Sequence, residues 1–292
     1  SFCQKVGLLR GIYFAVFHSI SSFCNAGFDL FGNSLMDFVG DPIVNVTVML
    51  LIIAGGLGFT TWADIRLNRG NFHAYTLQSK IALTMTAALI LIPGLFFFFF
   101  ELDPSTSLSE HFLISFFQSV TTRTAGYNTI DIKDFSETGR AALIALMLIG
   151  GSPGSTAGGI KTTTAFTLFA IMIATFRLKK DPTCFSRRLS SETQRHAVTI
   201  LMMYLLLFAS GSVLLNLIDG IRLIDSAFET ASALVTVGLS IGVTDDLGPL
   251  SKYVMMLLMF FGRIGGLTVI FAAHAHSRQD SGRSPEERIT IG

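Results

Sequence analysis

Phe117-Gln118-Ser119-Val120-Thr121-Thr122-Arg123-Thr124-Ala125-Gly126-Tyr127 decides how the rest of the chain is read, because the same pattern occurs twice more. The other copies are Phe17-His18-Ser19-Ile20-Ser21-Ser22-Phe23-Cys24-Asn25-Ala26-Gly27-Phe28 and Phe228-Glu229-Thr230-Ala231-Ser232-Ala233-Leu234-Val235-Thr236-Val237-Gly238-Leu239. Each opens an amphipathic helix on Phe and a polar residue, then turns at a lone Gly between small or apolar neighbours. A polar stretch and a long apolar helix follow. Repetition of helix, glycine turn and span is what a pore requires when one chain must supply several backbone segments that strip water from an ion. An ion path is therefore the leading functional expectation.

Half of the 292 residues are hydrophobic, 14% are charged, and the mean hydropathy is +0.59. That balance belongs in a lipid bilayer. A net charge of +1 leaves no polybasic surface for nucleic acid, and no groove-reading motif is present. Cys3, Cys24 and Cys184 are too widely spaced for a disulfide framework or a zinc site. Ser1 to Arg10 is short and mixed, unlike a signal sequence. With no initiator Met and almost nothing before the first copy, the chain reads as a fragment whose N-terminal part is missing.

Pro42 to Ala63 is an apolar run long enough to cross about 30 Å of hydrocarbon, and Thr76 to Phe100 is a second, closed by five consecutive Phe residues. The Phe run reads as lipid-facing bulk near an interface. Leu108 to Thr122 is too short and polar to span and fits a re-entrant helix. Thr138 to Phe176 is too long for one span and broken in the middle. Arg195 to Ile218 and Leu250 to His274 read as full spans, with a short helix, Leu223 to Leu234, between them. Arg66 and Arg69, then Arg177, Lys179, Lys180, Arg187 and Arg188, then Arg278, Arg283 and Arg288 mark alternate ends of successive spans. By the positive-inside rule those ends are cytoplasmic, which makes a multi-pass plasma-membrane protein with a cytoplasmic C-terminus. Asp29, Asp37, Asp41, Glu101, Asp103, Glu110, Asp131, Asp134, Asp219, Asp245 and Asp246 fall on the other side. There they either form a cation-attracting rim around the turns or simply solvate loops.

A dehydrated alkali cation needs a ring of oxygens, and backbone carbonyls supply them without the tight binding that carboxylates bring. Aiming successive carbonyls at one axis requires torsions that Gly adopts at least cost. Gly27, Gly126 and Gly238 also end short helices, whose partial negative charge favours a cation. One Gly at a helix C-terminus is ordinarily a cap; three with matching flanks are far more specific. The expected ligands are the backbone carbonyls of Asn25, Ala26, Gly27 and Phe28, of Thr124, Ala125, Gly126 and Tyr127, and of Thr236, Val237, Gly238 and Leu239. The expected cargo is K+, with Na+ as a coupling ion or alternative, and no organic cofactor is called for.

Gly150-Gly151-Ser152-Pro153-Gly154-Ser155-Thr156-Ala157-Gly158-Gly159 has a glycine density that no continuous helix would choose. Unwound backbone at bilayer depth persists only where protein encloses it or it lines a wet cavity. Gly154, Ser155, Thr156, Ala157, Gly158 and Gly159 are therefore a candidate gate. Lys161 and Arg263 join it as intramembrane cations facing an interior, unless they snorkel to the cytoplasmic surface. The same stretch matches the G-x-S-x-G elbow of serine hydrolases, with Ser152 as nucleophile and His274 or His276 as base. It also nearly spells a phosphate-binding loop from Gly154 to Thr162. Both motifs need a preceding strand, and an apolar helix precedes here. A non-transporting scaffold would leave the segregation of charge around the turns without purpose.

These residues resemble the superfamily of potassium transporters that includes KtrB, TrkH and the plant HKT proteins, over essentially the whole chain. Asn25-Ala26-Gly27-Phe28 is similar to the second filter repeat, Arg123-Thr124-Ala125-Gly126-Tyr127-Asn128 to the third, and Thr236-Val237-Gly238-Leu239 to the fourth. Gly154-Ser155-Thr156-Ala157-Gly158-Gly159-Ile160-Lys161 resembles the intramembrane gating loop. Phe260-Phe261-Gly262-Arg263-Ile264-Gly265-Gly266-Leu267-Thr268 resembles the last inner helix, and with the compact length favours the KtrB-like branch.

The resemblance implies an all-α polytopic membrane protein of repeated helix, pore-helix, helix units around a pseudo-fourfold pore. Residues 1–73 would be the second repeat without its outer helix, 74–190 the third with the gating loop, and 191–292 the fourth with a cytoplasmic tail. It further implies a homodimer on a cytosolic nucleotide-binding ring of the KtrA or TrkA type, acting through the cytoplasmic loops and tail. The first repeat is absent, and with it the position where Ser in place of Gly goes with sodium transport. Pro153 is a variation that reinforces the break.

Overall fold

The computed structural model describes residues 1–101 and 106–265, and eleven helices account for nearly all the regular structure among them. A short α1 (Phe2–Val6) leads into α2 (Leu8–Phe23), then α3 (Pro42–Gly56) and α4 (Phe59–Asn68). The second stretch holds α5 (Leu77–Phe100), α6 (Leu108–Thr121), α7 (Glu137–Met147) and α8 (Thr162–Phe176). A small antiparallel hairpin, β1 (Thr183–Cys184) and β2 (Arg187–Arg188), separates these from α9 (Ser191–Asp219), α10 (Leu223–Leu234) and α11 (Pro249–Ile264).

Among the described residues two helices are long and apolar enough to cross a membrane alone, α5 with 24 residues and α9 with 29. Both begin on a hydroxyl cap: Thr76 Oγ1 accepts from the Ser79 amide and Ser190 Oγ from the Thr193 amide, which satisfies donors the first turn leaves orphaned. α9 ends at Gly220, whose left-handed torsion closes the last turn. The short helices α6 and α10 are the buried ones. Phe117 and Val120 of α6 sit in a core with Val48, Ile52 and Tyr127, while Phe228, Ala231 and Leu234 of α10 sit with Leu143, Met147, Tyr204 and Leu215. α5 packs on α6 and α9 on α10, so each long helix covers a short one that ends in a glycine turn. The Phe run divides: Phe99 and Phe100 face outward, but Phe97 is fully buried with its ring 5.7 Å from that of Phe135.

The run expected as a single span over Pro42 to Ala63 is not one continuous helix. α3 and α4 meet at a 93° bend, where Gly58 takes φ +88° and ψ 143°. The reason lies in the second broken helix. The carbonyls that α3 leaves unpaired at its C-terminal end are met by the segment between α7 and α8: Ser152 N–H donates to the Gly56 oxygen (2.9 Å) and Thr156 N–H to that of Gly55 (3.3 Å). Gly154 returns a carbonyl to the Phe59 amide at 3.0 Å. The break expected within Thr138 to Phe176 is present. Its roots are tied by a parallel bridge between Ile149 and Ile160, with Gly150 N–H to the Ile160 oxygen at 2.9 Å and Thr162 N–H to that of Gly151 at 3.0 Å. Of the span expected over Leu250 to His274, residues beyond 265 lie outside the described residues, as do His274, His276, Arg278, Arg283, Arg288 and Asp103.

Several acids expected to form a rim are held in turns and caps. Asp29 accepts three amides from Phe31, Gly32 and Ser34, and Glu101 accepts the Ser136 amide and hydroxyl at the start of α7. Asp41 caps α3 through the Ile43 and Val44 amides at 3.0 and 3.2 Å. Asp41→Ala should lower stability by about 1 kcal/mol, read as a lower unfolding midpoint in detergent.

Candidate functional site

All three copies leave their short helix through the same pair of left-handed residues. Asn25, Thr124 and Thr236 have φ of +50°, +65° and +58°, and two positions later Gly27, Gly126 and Gly238 have +70°, +81° and +91°. Left-handed torsion costs a non-glycine residue roughly 1–2 kcal/mol, and strain repeated at matching positions marks a functional place.

The turns converge. A Cβ added to Gly27 would fall on the Ala125 carbonyl oxygen, 3.2 Å from the Gly126 Cα; one added to Gly126 would fall on the Val237 carbonyl oxygen, 3.4 Å from the Gly238 Cα. Only glycine permits this approach. A Cβ added to Gly238 would meet nothing nearer than the Gly126 Cα at 3.8 Å, and with Ala26 and Phe28 this glycine lines a cavity of about 650 Å³ that extends to Glu229, Asp245 and Arg263.

Among the described residues no donor reaches the carbonyl oxygens of Asn25, Ala26, Gly27, Thr124, Ala125, Gly126, Thr236, Val237 or Gly238, and that of Leu239 is unpaired as well. Two of the twelve predicted carbonyls differ. The Phe28 oxygen accepts both Ser21 Oγ and Tyr127 Oη at 3.0 Å, and the Tyr127 oxygen accepts Thr121 Oγ1 at 2.7 Å. Those two brace the turns from behind. In the third copy Gly238 N–H donates to Ser232 Oγ at 3.1 Å. Asn25, Thr124, Ala125 and Val237 are buried, and a buried carbonyl without a partner costs roughly 1–3 kcal/mol, so theirs are kept only where water or an ion meets them.

The broken segment lies against all three turns. Thr156 Oγ1 donates to Asn25 Oδ1 (2.9 Å) and lies 3.2 Å from the Phe23 oxygen, while Asn25 Nδ2 reaches the Arg123 oxygen of the second copy at 3.1 Å. A Cβ on Gly150 would lie 3.3 Å from Thr124 Cγ2, and one on Gly158 would fall on Thr236 Oγ1, 2.8 Å from the Val235 oxygen. Gly159 packs as closely on the Val235 side chain. Gly154 holds the Phe59 amide, and Ser155 Oγ accepts the Ala157 amide at 3.3 Å. Lys161 Nζ donates to the Ala157 oxygen at 2.6 Å and Arg263 Nη1 to the Thr156 oxygen at 3.0 Å. The two predicted cations therefore meet on adjacent carbonyls of this segment.

Three features were not foreseen. Gly55, Gly150 and Gly262 stand equally far from the first residues of α3, α7 and α11. A Cβ on Gly55 would fall on the Phe23 oxygen and one on Gly262 on the Leu234 oxygen, so two inner helices touch the end of their short helix through glycine. Gly58 and Gly265 then share a torsion, φ +88° and ψ 143° against φ +84° and ψ 142°. The density of Gly55-Gly56-Leu57-Gly58 was the available signal. Arg123 is also buried, with Nη2 on Thr86 Oγ1 at 3.0 Å.

Ser152 is fully buried, with Oγ 2.9 Å from Thr162 Oγ1, and a helix precedes it, which removes the setting a hydrolase elbow needs.

The chain is 40% identical to the potassium/sodium uptake protein NtpJ of Enterococcus hirae, over 100% of its own length and 66% of that protein. It is 37% identical to the Ktr system potassium uptake protein B of Vibrio alginolyticus, over 99% of its own length and 64% of that protein. It thus spans just under two thirds of the curated relatives it matches. Its fold superposes on the crystal structure of the potassium transporter TrkH from Vibrio parahaemolyticus with a TM-score of 0.72 at 20% identity, covering 89% of this chain and 58% of that one. The family described as TrkH, cation transport protein, matches residues 2–283, and the chain belongs to that family of membrane transporters, which are not enzymes.

Proposed function

We propose that the protein takes up potassium across the plasma membrane, coordinating the dehydrated ion with main-chain oxygens of the three glycine turns. The observation that carries this reading is the set of unpaired carbonyls at Asn25, Ala26, Gly27, Thr124, Ala125, Gly126, Thr236, Val237 and Gly238 on turns that touch through glycine. Such oxygens replace a hydration shell while binding weakly enough to release the ion. The ends of α2, α6 and α10 add partial negative charge. Residues 1–73, 74–190 and 191–292 act as three successive pore repeats, and Gly154 to Gly159 with Lys161 and Arg263 act as the gate. Cytoplasmic ends at Arg66 and Arg69, and at the exposed Arg187 and Arg188, face a nucleotide-binding ring beneath a homodimer, with the C-terminus on the same side.

The test is rubidium uptake by the intact protein in liposomes, with potassium and sodium as competitors. Potassium should displace rubidium and sodium should not. Gly238→Ser should narrow that difference about tenfold, a change of ~1.4 kcal/mol; an unchanged competition profile counts against the assignment. A sodium-permeable or sodium-coupled path is the second reading, favoured by the potassium/sodium uptake named for the Enterococcus relative. Stimulation of uptake by a sodium gradient would select it.

A further inference from the structure

The third turn differs from the other two in how it is held. Its entry is fixed by Ser232, whose carbonyl accepts the Val237 amide at 2.8 Å and whose hydroxyl accepts that of Gly238 at 3.1 Å. Its exit is fixed by a carboxylate. Glu229 is 2% exposed on α10, and its Oε1 accepts Ser240 Oγ (2.7 Å) and the Ile241 amide (3.0 Å), while Oε2 accepts Thr244 Oγ1 (2.6 Å). Ser240 Oγ in turn accepts the Gly242 amide at 2.9 Å.

Among the described residues no cation pairs with this carboxylate. Arg140 and Arg222 both go to Asp225, at 3.3 and 2.8 Å. A buried charge without a counter-ion is expensive unless hydrogen bonds replace its hydration, and bonds to an ionised acceptor are roughly twice as strong as neutral ones. The carboxylate and the segment Ser240 to Thr244 therefore stabilise each other. At the matching place in the first copy stands His18, whose Nδ1 lies 2.7 Å from the Phe14 oxygen of its own helix and whose Nε2 has no partner.

We propose that Glu229 is a positioning residue for cation selection: by holding Ser240, Ile241 and Thr244 against α10 it fixes the Thr236, Val237 and Gly238 carbonyls that precede them in the chain. This rests on the reading of those carbonyls as ion ligands. The role is geometric, so a neutral group of the same shape should serve. Glu229→Gln keeps an acceptor for Ser240 and Ile241 and presents an amide to Thr244; Glu229→Ala removes every anchor.

The experiment is competition of potassium and sodium against rubidium uptake by the intact protein in liposomes. Glu229→Ala should lower potassium over sodium discrimination about tenfold, with Glu229→Gln within about twofold of the parent. Thr244→Val, which cuts one anchor and leaves the charge, should lower it about threefold, and it decides the matter if Glu229→Ala does not fold. Undiminished discrimination in Glu229→Ala overturns the proposal, and so does an equal loss in Glu229→Gln, which would assign the effect to charge. If Gly238→Ser shifts discrimination and Glu229→Ala does not, the positioning role alone falls. If neither does, the ion-ligand reading falls and takes this role with it.

Discussion

Gly126→Ala is expected to lower selective rubidium uptake at least about 100-fold, equivalent to ~2.7 kcal/mol on the barrier. Two effects combine. Alanine at φ +81° carries a left-handed penalty of roughly 1–2 kcal/mol, and its Cβ would fall on the Val237 carbonyl oxygen. Relief requires the second and third turns to separate. Because Gly126 stands between Gly27 and Gly238, that movement disturbs the whole ring. Gly70→Ala is the control: at φ +85° with nothing within 4 Å of its Cβ, it bears a similar torsional cost without a clash. Its uptake should stay within about threefold of the parent. Equal behaviour of the two variants would mean that backbone strain, and not displacement of a carbonyl, sets the loss.

Deleting Gly154 to Gly159 should act in the opposite direction and raise flux about tenfold. This segment touches the first copy through Thr156 and Asn25 and the third through Gly158 and Thr236. It also carries Lys161 and Arg263 on the Ala157 and Thr156 carbonyls, which sets two positive charges near the turns. Cations in a low-dielectric path repel the ion that must pass. Removing the loop lifts a steric barrier and takes away the carbonyls that hold the Lys161 and Arg263 charges at the turns. Uptake no greater than that of the parent would take the gate out of the mechanism, provided the variant elutes as a folded protein.

Much of this was legible in the chain itself, for identifiable reasons. α5 and α9 could be placed because long apolar runs have few alternatives in lipid. The three turns could be placed because Gly, flanked alike each time, is the residue that left-handed backbone and close approach require. The break between Met147 and Thr162 followed from glycine density. The bend at Leu57 and Gly58 did not, because the apolar run continues through it, although Gly55, Gly56 and Gly58 carry the signal that was decisive at Gly150 to Gly159. What bends α3 into α4 is a partner far along the chain, Ser152 to Thr156, and hydropathy holds no information about a partner. The same limit applies to Asn25, whose side chain bonds across 98 and 131 residues. It applies also to Glu229, which reads as one more polar position on a short helix until Ser240, Ile241 and Thr244 close over it. The acids were legible as charges, but Asp29, Asp41 and Glu101 spend their oxygens on neighbouring amides, which local turn chemistry decides.

The proposed transport rests on main-chain oxygens of Gly27, Gly126, Gly238 and their preceding residues meeting a bare cation. Anomalous diffraction from crystals of the intact protein grown in rubidium tests this most directly. An anomalous peak between the three glycines, ringed by carbonyls of residues 25–27, 124–126 and 236–238, is the predicted result. Peaks confined to surface carboxylates, with none among the turns, would contradict it.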